Sequence, residues 1–127
     1  MKLIELAYFT EHVRQMTDFY RGLLGAEPVA KSNDMAIFMS GDTKIFIHRK
    51  YVPVEGELPA DNHIAFAVDD VDATCETLTQ QGLTLEVPPR DYYWGRSAYL
   101  RDPDGNVICL FYAGENRLNP PWRINYE

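Results

Sequence analysis

The chain has 127 residues, of which 46% are hydrophobic and 24% are charged, a size and composition typical of one globular domain. Its net charge of −7 disfavours binding to nucleic acid and to anionic membranes, because like charges repel. No apolar stretch reaches the ~18 residues of a transmembrane helix, and the acid Glu5 lies where a signal peptide would be apolar. The two cysteines, Cys75 and Cys109, form no secreted-type disulfide framework, so the sequence predicts a cytoplasmic protein.

The chain contains an internal repeat. Residues 3–13 read LIELAYFTEHV and residues 61–71 read DNHIAFAVDDV, and these segments align when Glu5 is placed opposite His63. Both segments are apolar and rich in aromatic and β-branched residues, which predicts a strand in each. Each segment closes with acidic residues that can cap a helix N-terminus.

A helix is predicted after each of these strands. The first has apolar residues at near-helical spacing and ends at Gly25; the second ends at Gly82. Their apolar stripes are Val13, Met16, Tyr20, Leu23 and Leu24 in the first helix, and Val71, Cys75 and Leu78 in the second. Further strands are predicted over 35–39 and 44–48, and over 97–101 and 107–112, each pair joined by a turn. The order β-α-β-β-β therefore occurs twice, which indicates an α+β fold of two βαβββ modules.

The repeat also divides the chain into parts. The modules are predicted over 1–51 and 61–113, joined by a linker at 52–60 that contains two prolines and a glycine. Because the linker is short, the modules are expected to pack together as one domain over residues 1–127. The tail at 114–127 lies outside the repeat, and its Pro-Pro-Trp run at 120–122 is incompatible with a regular helix. This tail either packs an aromatic side chain across the domain or onto a partner subunit, or is mobile.

Three motifs together resemble the vicinal-oxygen-chelate superfamily, which contains glyoxalase I, the bleomycin-resistance proteins and extradiol dioxygenases. They are DFYRGLLG at 18–25, NHIAFAVDDV at 62–71, and WGR at 94–96 followed by RDPDGN at 101–106. Each motif alone is weak, but the resemblance covers residues 1 to about 113 in the correct order. It implies a glyoxalase-like fold in which two βαβββ modules form a shared half-barrel cavity, and it implies a homodimer.

The resemblance also implies four metal-ligand positions, two on the first and last strands of each module. His63 stands where the second module supplies its histidine, and Glu5 stands at the equivalent position of the first module. An imidazole and a carboxylate suit Zn, Ni, Mn or Fe, and such an ion holds two neighbouring oxygens of a substrate. The alternatives are a polar residue at the start of a strand for His63 and a solvent-facing charge for Glu5.

The two last-strand positions depart from the family pattern. Cys109 replaces a glutamate, and it is either a soft metal ligand or a small buried apolar residue. Phe46 aligns with Cys109 and cannot bind metal, whereas His48, two residues further on, offers a nitrogen if the site is shifted. His48 is otherwise a histidine at a strand end.

An aromatic group in the second module predicts contact with a small-molecule ligand. The run YYWGR at 92–96 contains aromatic faces and an arginine, which can hold a planar or anionic ligand. The residues predicted to bind substrate are Phe46, Trp94, Arg96, Tyr99 and Phe111. The alternative is that Trp94 and a tyrosine cover the core.

Two functions follow from these observations. The first is metal-dependent lyase, isomerase or dioxygenase chemistry on adjacent oxygens of a small molecule. The second is metal-free capture of a small molecule such as an antibiotic, as in bleomycin-resistance proteins, for which no cofactor is needed. A structural dimer subunit with a vestigial cavity is a third alternative.

Overall fold

The computed structural model describes residues 1–52, 61–92 and 95–112, and within these ranges the chain forms eight strands and two helices. The first module contributes β1 (Lys2–Thr10), α1 (Val13–Leu24), β2 (Ala30–Lys31), β3 (Met35–Ser40) and β4 (Thr43–Arg49). The second contributes β5 (His63–Ala67), α2 (Val71–Gln80), β6 (Leu85–Tyr92), β7 (Gly95–Arg101) and β8 (Val107–Tyr112). The predicted order βαβββ, repeated twice, and the α+β fold class are confirmed.

All eight strands belong to one open sheet. Its order is β2-β3-β4-β1-β5-β8-β7-β6, so the first strands of the two modules lie side by side at the centre. Strand β1 pairs with β5 in antiparallel fashion, with Leu6 opposite Ile64 and Ala7 opposite His63. Each first strand pairs in parallel with the last strand of its own module, β1 with β4 and β5 with β8. The modules thus share main-chain hydrogen bonds and form one continuous sheet.

Both helices cover the same face of the sheet, and each has its own apolar cluster. Helix α1 packs over Ala36, Phe38, Ile45 and Ile47 of β3 and β4. Helix α2 packs over Ala98, Leu100 and Leu110 of β7 and β8. Because side chains alternate along a strand, the residues between these core positions point to the opposite face of the sheet. Neither of the two helices in the described residues covers that face, which is called the helix-free face below.

The two helices end and begin differently. Gly25 closes α1 in the left-handed conformation, with φ of 65°, as the sequence predicts. Asp70 caps the N-terminus of α2, since its side chain accepts a hydrogen bond of 3.0 Å from the backbone N–H of Ala73. His12 at the start of α1 makes no such side-chain hydrogen bond.

The position of strand β6 is not predicted from the sequence, because the strand contains Pro88 and Pro89. Proline cannot donate a ladder hydrogen bond and is therefore tolerated only at an edge or a bulge. Both conditions hold here: β6 is the last strand of the sheet, and its pairing with β7 shifts between Val87 and Arg90.

Parts of the predicted domain plan lie outside the described residues. These are positions 53–60 of the linker and the whole tail at 114–127. The module boundaries and the single-domain assignment therefore stay predictions. Within the described ranges, neither helix is long and apolar enough to cross a bilayer.

Candidate functional site

The sheet register shows which residues of the two modules occupy equivalent places. In the first module Glu5 is paired with Lys44, and Ala7 with Phe46. In the second module His63 is paired with Val107, and Ala65 with Cys109. Glu5 thus corresponds to His63, Lys44 to Val107, and Phe46 to Cys109, as the alignment of the repeat predicts for the first and third pairs. All six residues lie on the helix-free face, since they alternate with the core positions.

The polar centre of this face is formed by Glu5, Lys44 and His63. The Lys44 ammonium nitrogen Nζ lies 3.1 Å from Oε2 of Glu5, and Nε2 of His63 lies 3.9 Å from Oε1 of the same carboxylate. The side chains are only 15% exposed for Glu5, 17% for Lys44 and 18% for His63. One carboxylate therefore faces a cation with one oxygen and an imidazole with the other, in a place largely shielded from water.

The orientation of the His63 ring is set by the backbone. Its Nδ1 lies 2.9 Å from the carbonyl oxygen of Asp61. A carbonyl oxygen only accepts, so Nδ1 carries the proton and, in the neutral ring, Nε2 carries the lone pair. That lone pair is directed to the side of Glu5, where it can accept a proton or a hydrogen bond from a ligand.

Cys109 lies deep in the same face as a protonated thiol. It is 5% exposed, and its side chain makes hydrogen-bonding contacts with Ser97 and Tyr99. Burial, with the negative charge of Glu5 as the next contribution, raises the pKa of Cys109 to about 12. Burial and the neighbouring Cys109 also raise the pKa of the Tyr99 phenol. Near neutral pH both groups are therefore uncharged.

An aromatic cluster adjoins the polar centre, with Phe9 in its middle. The ring of Phe9 lies 6.4 Å from that of Phe46, 5.9 Å from His48, 5.8 Å from Tyr51 and 5.8 Å from His63. The Nδ1 of His48 donates to the carbonyl oxygen of Arg49 at 2.6 Å. His48 is therefore part of the aromatic wall, and Phe9 contacts both histidine rings.

The donor set does not fit the four-ligand metal site that the family resemblance implies. Lys44 holds one oxygen of Glu5, Phe46 has no donor atom, and Cys109 is a neutral thiol. Within residues 1–52, 61–92 and 95–112, no three or more His, Cys, Asp or Glu side chains come together in a way that could hold a metal ion. Of the predicted ligands, the structure brings Glu5 and His63 together and leaves His48 packed against Phe9.

The residues predicted to contact substrate fall into three groups. Phe46, Tyr99 and Phe111 lie on the helix-free face with the polar centre, as the strand alternation requires. Arg96 points to the opposite face, where its guanidinium binds the carboxylates of Asp72 at 2.6 Å and Asp91 at 3.0 Å. This places Arg96 at the N-terminal turn of α2 and away from the polar centre. Trp94 lies outside the described residues, so its role stays a prediction.

One contributor to this face is not predicted from the sequence. Lys44 is predicted only as the beginning of a strand, whereas strand alternation already places Phe9 on the same face as Glu5 and Ala7. The signal was present, because Lys44, Phe46 and His48 alternate along one strand and Glu5, Ala7 and Phe9 along another. What the sequence does not contain is the parallel register that places Lys44 next to Glu5.

A groove of about 280 Å³ also touches strands β1, β5 and β8. Leu6, Tyr8, Ile64 and Ile108 in its lining alternate with the site residues, and Tyr8 and Ile108 pack with the two helix-side clusters. Its lining also includes His63, Ala7 and Val107, so the groove lies beside His63 at the starts of β5 and β8.

The geometry defines a class of protein: two βαβββ modules in one sheet, with a shielded polar centre and an aromatic wall on the helix-free face. The family model described as Glyoxalase/Bleomycin resistance protein/Dioxygenase superfamily matches residues 2–110. The chain belongs to this superfamily, the vicinal-oxygen-chelate group that the motifs resemble.

Similar proteins agree with this membership. The uncharacterized protein YraH of Bacillus subtilis (strain 168) is 30% identical over 125 residues, which cover 87% of this chain and 98% of YraH. The fosfomycin resistance protein FosX of Mesorhizobium japonicum is 30% identical over 115 residues, which cover 85% of this chain and 83% of FosX. A crystal structure described as NAD-dependent benzaldehyde dehydrogenase from Legionella pneumophila has a TM-score of 0.68 at 18% identity, with 87% of this chain and 98% of that chain covered. That last likeness concerns the fold alone.

Proposed function

We propose that the protein binds a small anionic molecule on the helix-free face of its sheet without a divalent metal. The observation that carries this proposal is the contact of 3.1 Å between Lys44 Nζ and Glu5 Oε2. A carboxylate held in this way by an ammonium group is not offered to a metal ion. The ammonium of Lys44 instead presents N–H groups to oxygen atoms of a ligand, and the Nε2 lone pair of His63 can accept a hydrogen bond from a ligand hydroxyl.

The surroundings suggest a ligand with one polar end and one apolar end. The polar end would meet Lys44 and His63, and the apolar end would meet Phe9 and Phe46 in the aromatic wall. Aromatic rings with a few convergent polar groups are typical of sites for small organic molecules. The similarity to a fosfomycin resistance protein makes small phosphonates, including fosfomycin, the first ligands to examine.

The proposal is tested by thermal shift and calorimetric titration with fosfomycin, methylphosphonate and phenylphosphonate, each in the presence of a chelator. At least one of these anions should raise the melting temperature, and a ligand at 100 times its Kd stabilises the folded state by about 2.7 kcal/mol. Phenylphosphonate should bind more tightly than methylphosphonate because its ring can pack on the aromatic wall.

The matched variants are His63→Ala and His12→Ala. His12 is an exposed histidine at the start of α1, so its removal should leave affinity unchanged. His63→Ala should weaken binding at least tenfold, which corresponds to about 1.4 kcal/mol. A thermal shift that disappears in chelator, or equal affinities of the two variants, would contradict the proposal.

The second candidate is metal-dependent chemistry on adjacent oxygens of a substrate, with Zn, Ni, Mn or Fe. It is favoured by one observation: Glu5 and His63 occupy equivalent positions in the two modules and approach to 3.9 Å. Elemental analysis after incubation with each metal separates the candidates. About one ion per chain, lost in His63→Ala, would establish this second function in place of the first.

We also propose that the protein is a cytoplasmic homodimer. A reducing compartment agrees with the two free and buried thiols of Cys75 and Cys109. The apolar side chains of Phe19 and Leu23, one helical turn apart on α1, are exposed in the single chain. Light scattering coupled to size-exclusion chromatography measures the mass directly, and a mass of one chain would exclude the dimer.

A further inference from the structure

The charge beside the site differs between the two modules at one position. Lys44 is the sheet neighbour of Glu5, whereas Val107 is the sheet neighbour of His63. In this place the Lys44 ammonium nitrogen lies 3.1 Å from Glu5 Oε2 and 5.3 Å from the ring centre of Phe46. The first module thus places a cation at the carboxylate that the family resemblance assigns to a metal.

We infer that the ammonium group of Lys44 takes the place of the divalent ion. It binds the carboxylate of Glu5 and so prevents a metal ion from binding to a scaffold that could otherwise hold one. This inference rests on the proposed metal-free function and names the residue responsible for it.

Two physical reasons support the assignment to Lys44. A metal ligand must offer an oxygen lone pair to the ion, and the ammonium already takes one oxygen of Glu5 in a charge-assisted contact. A divalent ion bound at the other oxygen would also stand close to a like charge, in a place where solvent screens poorly because both side chains are more than four-fifths buried.

The ammonium group is also held in position. Its approach to the Phe46 ring adds a cation–π contact, and the aliphatic part of the side chain is covered because Lys44 is only 17% exposed. By contrast Lys2, which pairs with Asp42 at 2.7 Å, is 62% exposed and its partner 80% exposed. Lys2 is therefore a matched control: a lysine in an ion pair of the same type that lies away from the site.

The experiment restores a ligand and removes the cation, separately and together. Cys109→Glu supplies a carboxylate at the last-strand position of the second module, and Lys44→Met removes the ammonium with little change in length. Four proteins are compared: Cys109→Glu, Lys44→Met, the double variant Lys44→Met/Cys109→Glu, and the control Lys2→Met/Cys109→Glu. Cobalt(II) binding is measured by visible absorption, and zinc affinity is measured by competition with a chromophoric chelator. Circular dichroism checks that each variant is folded, and Lys44→Gln replaces Lys44→Met if the latter is not.

The double variant Lys44→Met/Cys109→Glu should bind zinc at least tenfold more tightly than Cys109→Glu alone or the Lys2 control. Addition of His63→Ala should remove the gain, because His63 is then the missing ligand. Equal zinc affinities with and without Lys44 would overturn this inference while leaving the proposed metal-free function intact. About one ion per chain in the wild-type protein would overturn both, so the two failures are distinguishable.

Discussion

The two modules share a scaffold but not a chemistry. Each has the order βαβββ, a helix on the same face of the sheet and a parallel pair of first and last strands. At the three equivalent positions on the helix-free face, the first module has Glu5, Lys44 and Phe46, and the second has His63, Val107 and Cys109. The backbone is pseudo-symmetric, whereas the site that it carries is not.

This difference indicates which residues hold the fold and which are available for function. Core positions such as Ile47 in the first module and Leu110 in the second are apolar in both, because each must pack under a helix. At the three equivalent positions that alternate with them, the side chains face away from the helices and differ in charge between the modules. This division of roles between core positions and site positions can be tested by substitutions that affect one module, one site or one helix end.

The largest effect is expected from loss of a core side chain in one module. Phe38 in β3 is 1% exposed and packs under α1, so Phe38→Ala should lower the free energy of unfolding by about 3–5 kcal/mol. Because the modules share the central β1–β5 ladder, the whole chain should still unfold in one transition. Urea titration followed by far-UV circular dichroism and by fluorescence measures both quantities.

The control is Val52→Ala at a side chain that is 92% exposed, with an expected change below about 0.5 kcal/mol. Two separate transitions in the Phe38 variant would show that the modules are independent units and that the continuous sheet does not couple them.

A smaller effect is expected from the ion pair of the first module. Glu5→Leu leaves the Lys44 ammonium largely buried without its carboxylate, which should cost about 1–3 kcal/mol. Combining it with Lys44→Met should recover much of this loss, because two apolar groups need no partner. A double-mutant cycle in urea measures the coupling, and strictly additive effects would show that the pair contributes nothing.

The thiol of the second module should make stability depend on alkaline pH. The folded protein retains the Cys109 proton up to a pKa of about 12, whereas the unfolded chain releases it near the ordinary value of 9.0. Between these values the unfolded state binds fewer protons, so the free energy of unfolding falls as pH rises, by at most about 1.4 kcal/mol per pH unit.

Cys109→Ser should remove this contribution and give a shallower decline than wild type above pH 9.0. Unfolding free energies of both proteins across this range provide the comparison. Identical slopes would mean that Cys109 is not the protonated, buried thiol described here.

The sequence predicted the fold better than it predicted the site. The repeat, the glycine after α1 and the alternation in 35–39 and 44–48 specify modules and strands because these are local patterns. The position of strand β6 is not predicted because Pro88 and Pro89 are typical of non-strand sequence; they are tolerated here at an edge strand whose pairing shifts between Val87 and Arg90.

The site was harder to predict because it depends on pairing between distant strands. The alignment of the repeat correctly placed Glu5 against His63 and Phe46 against Cys109, but the neighbour of Glu5 depends on the β1–β4 register. The aromatic residues before Arg96 favour a ligand contact, but its ion pair with Asp72 depends on the placement of α2, and its ion pair with Asp91 depends on the pairing of β6 with β7. Charge partners that lie far apart in sequence carry no local pattern.

The smallest change in stability is expected from substitutions at the N-terminal ends of the two helices. Asp70 caps α2 by accepting from the N–H of Ala73, and Asp70→Ala should cost about 1 kcal/mol because that N–H loses its partner. His12 at the equivalent place before α1 makes no side-chain cap, so His12→Ala should change stability by no more than a few tenths of a kcal/mol.

His12→Asp should stabilise α1, since a carboxylate there can accept hydrogen bonds from N–H groups of the first turn and interacts favourably with the helix dipole. Thermal unfolding of the three variants measures these differences, and a loss for His12→Ala as large as that for Asp70→Ala would show that the two helix starts are equivalent after all.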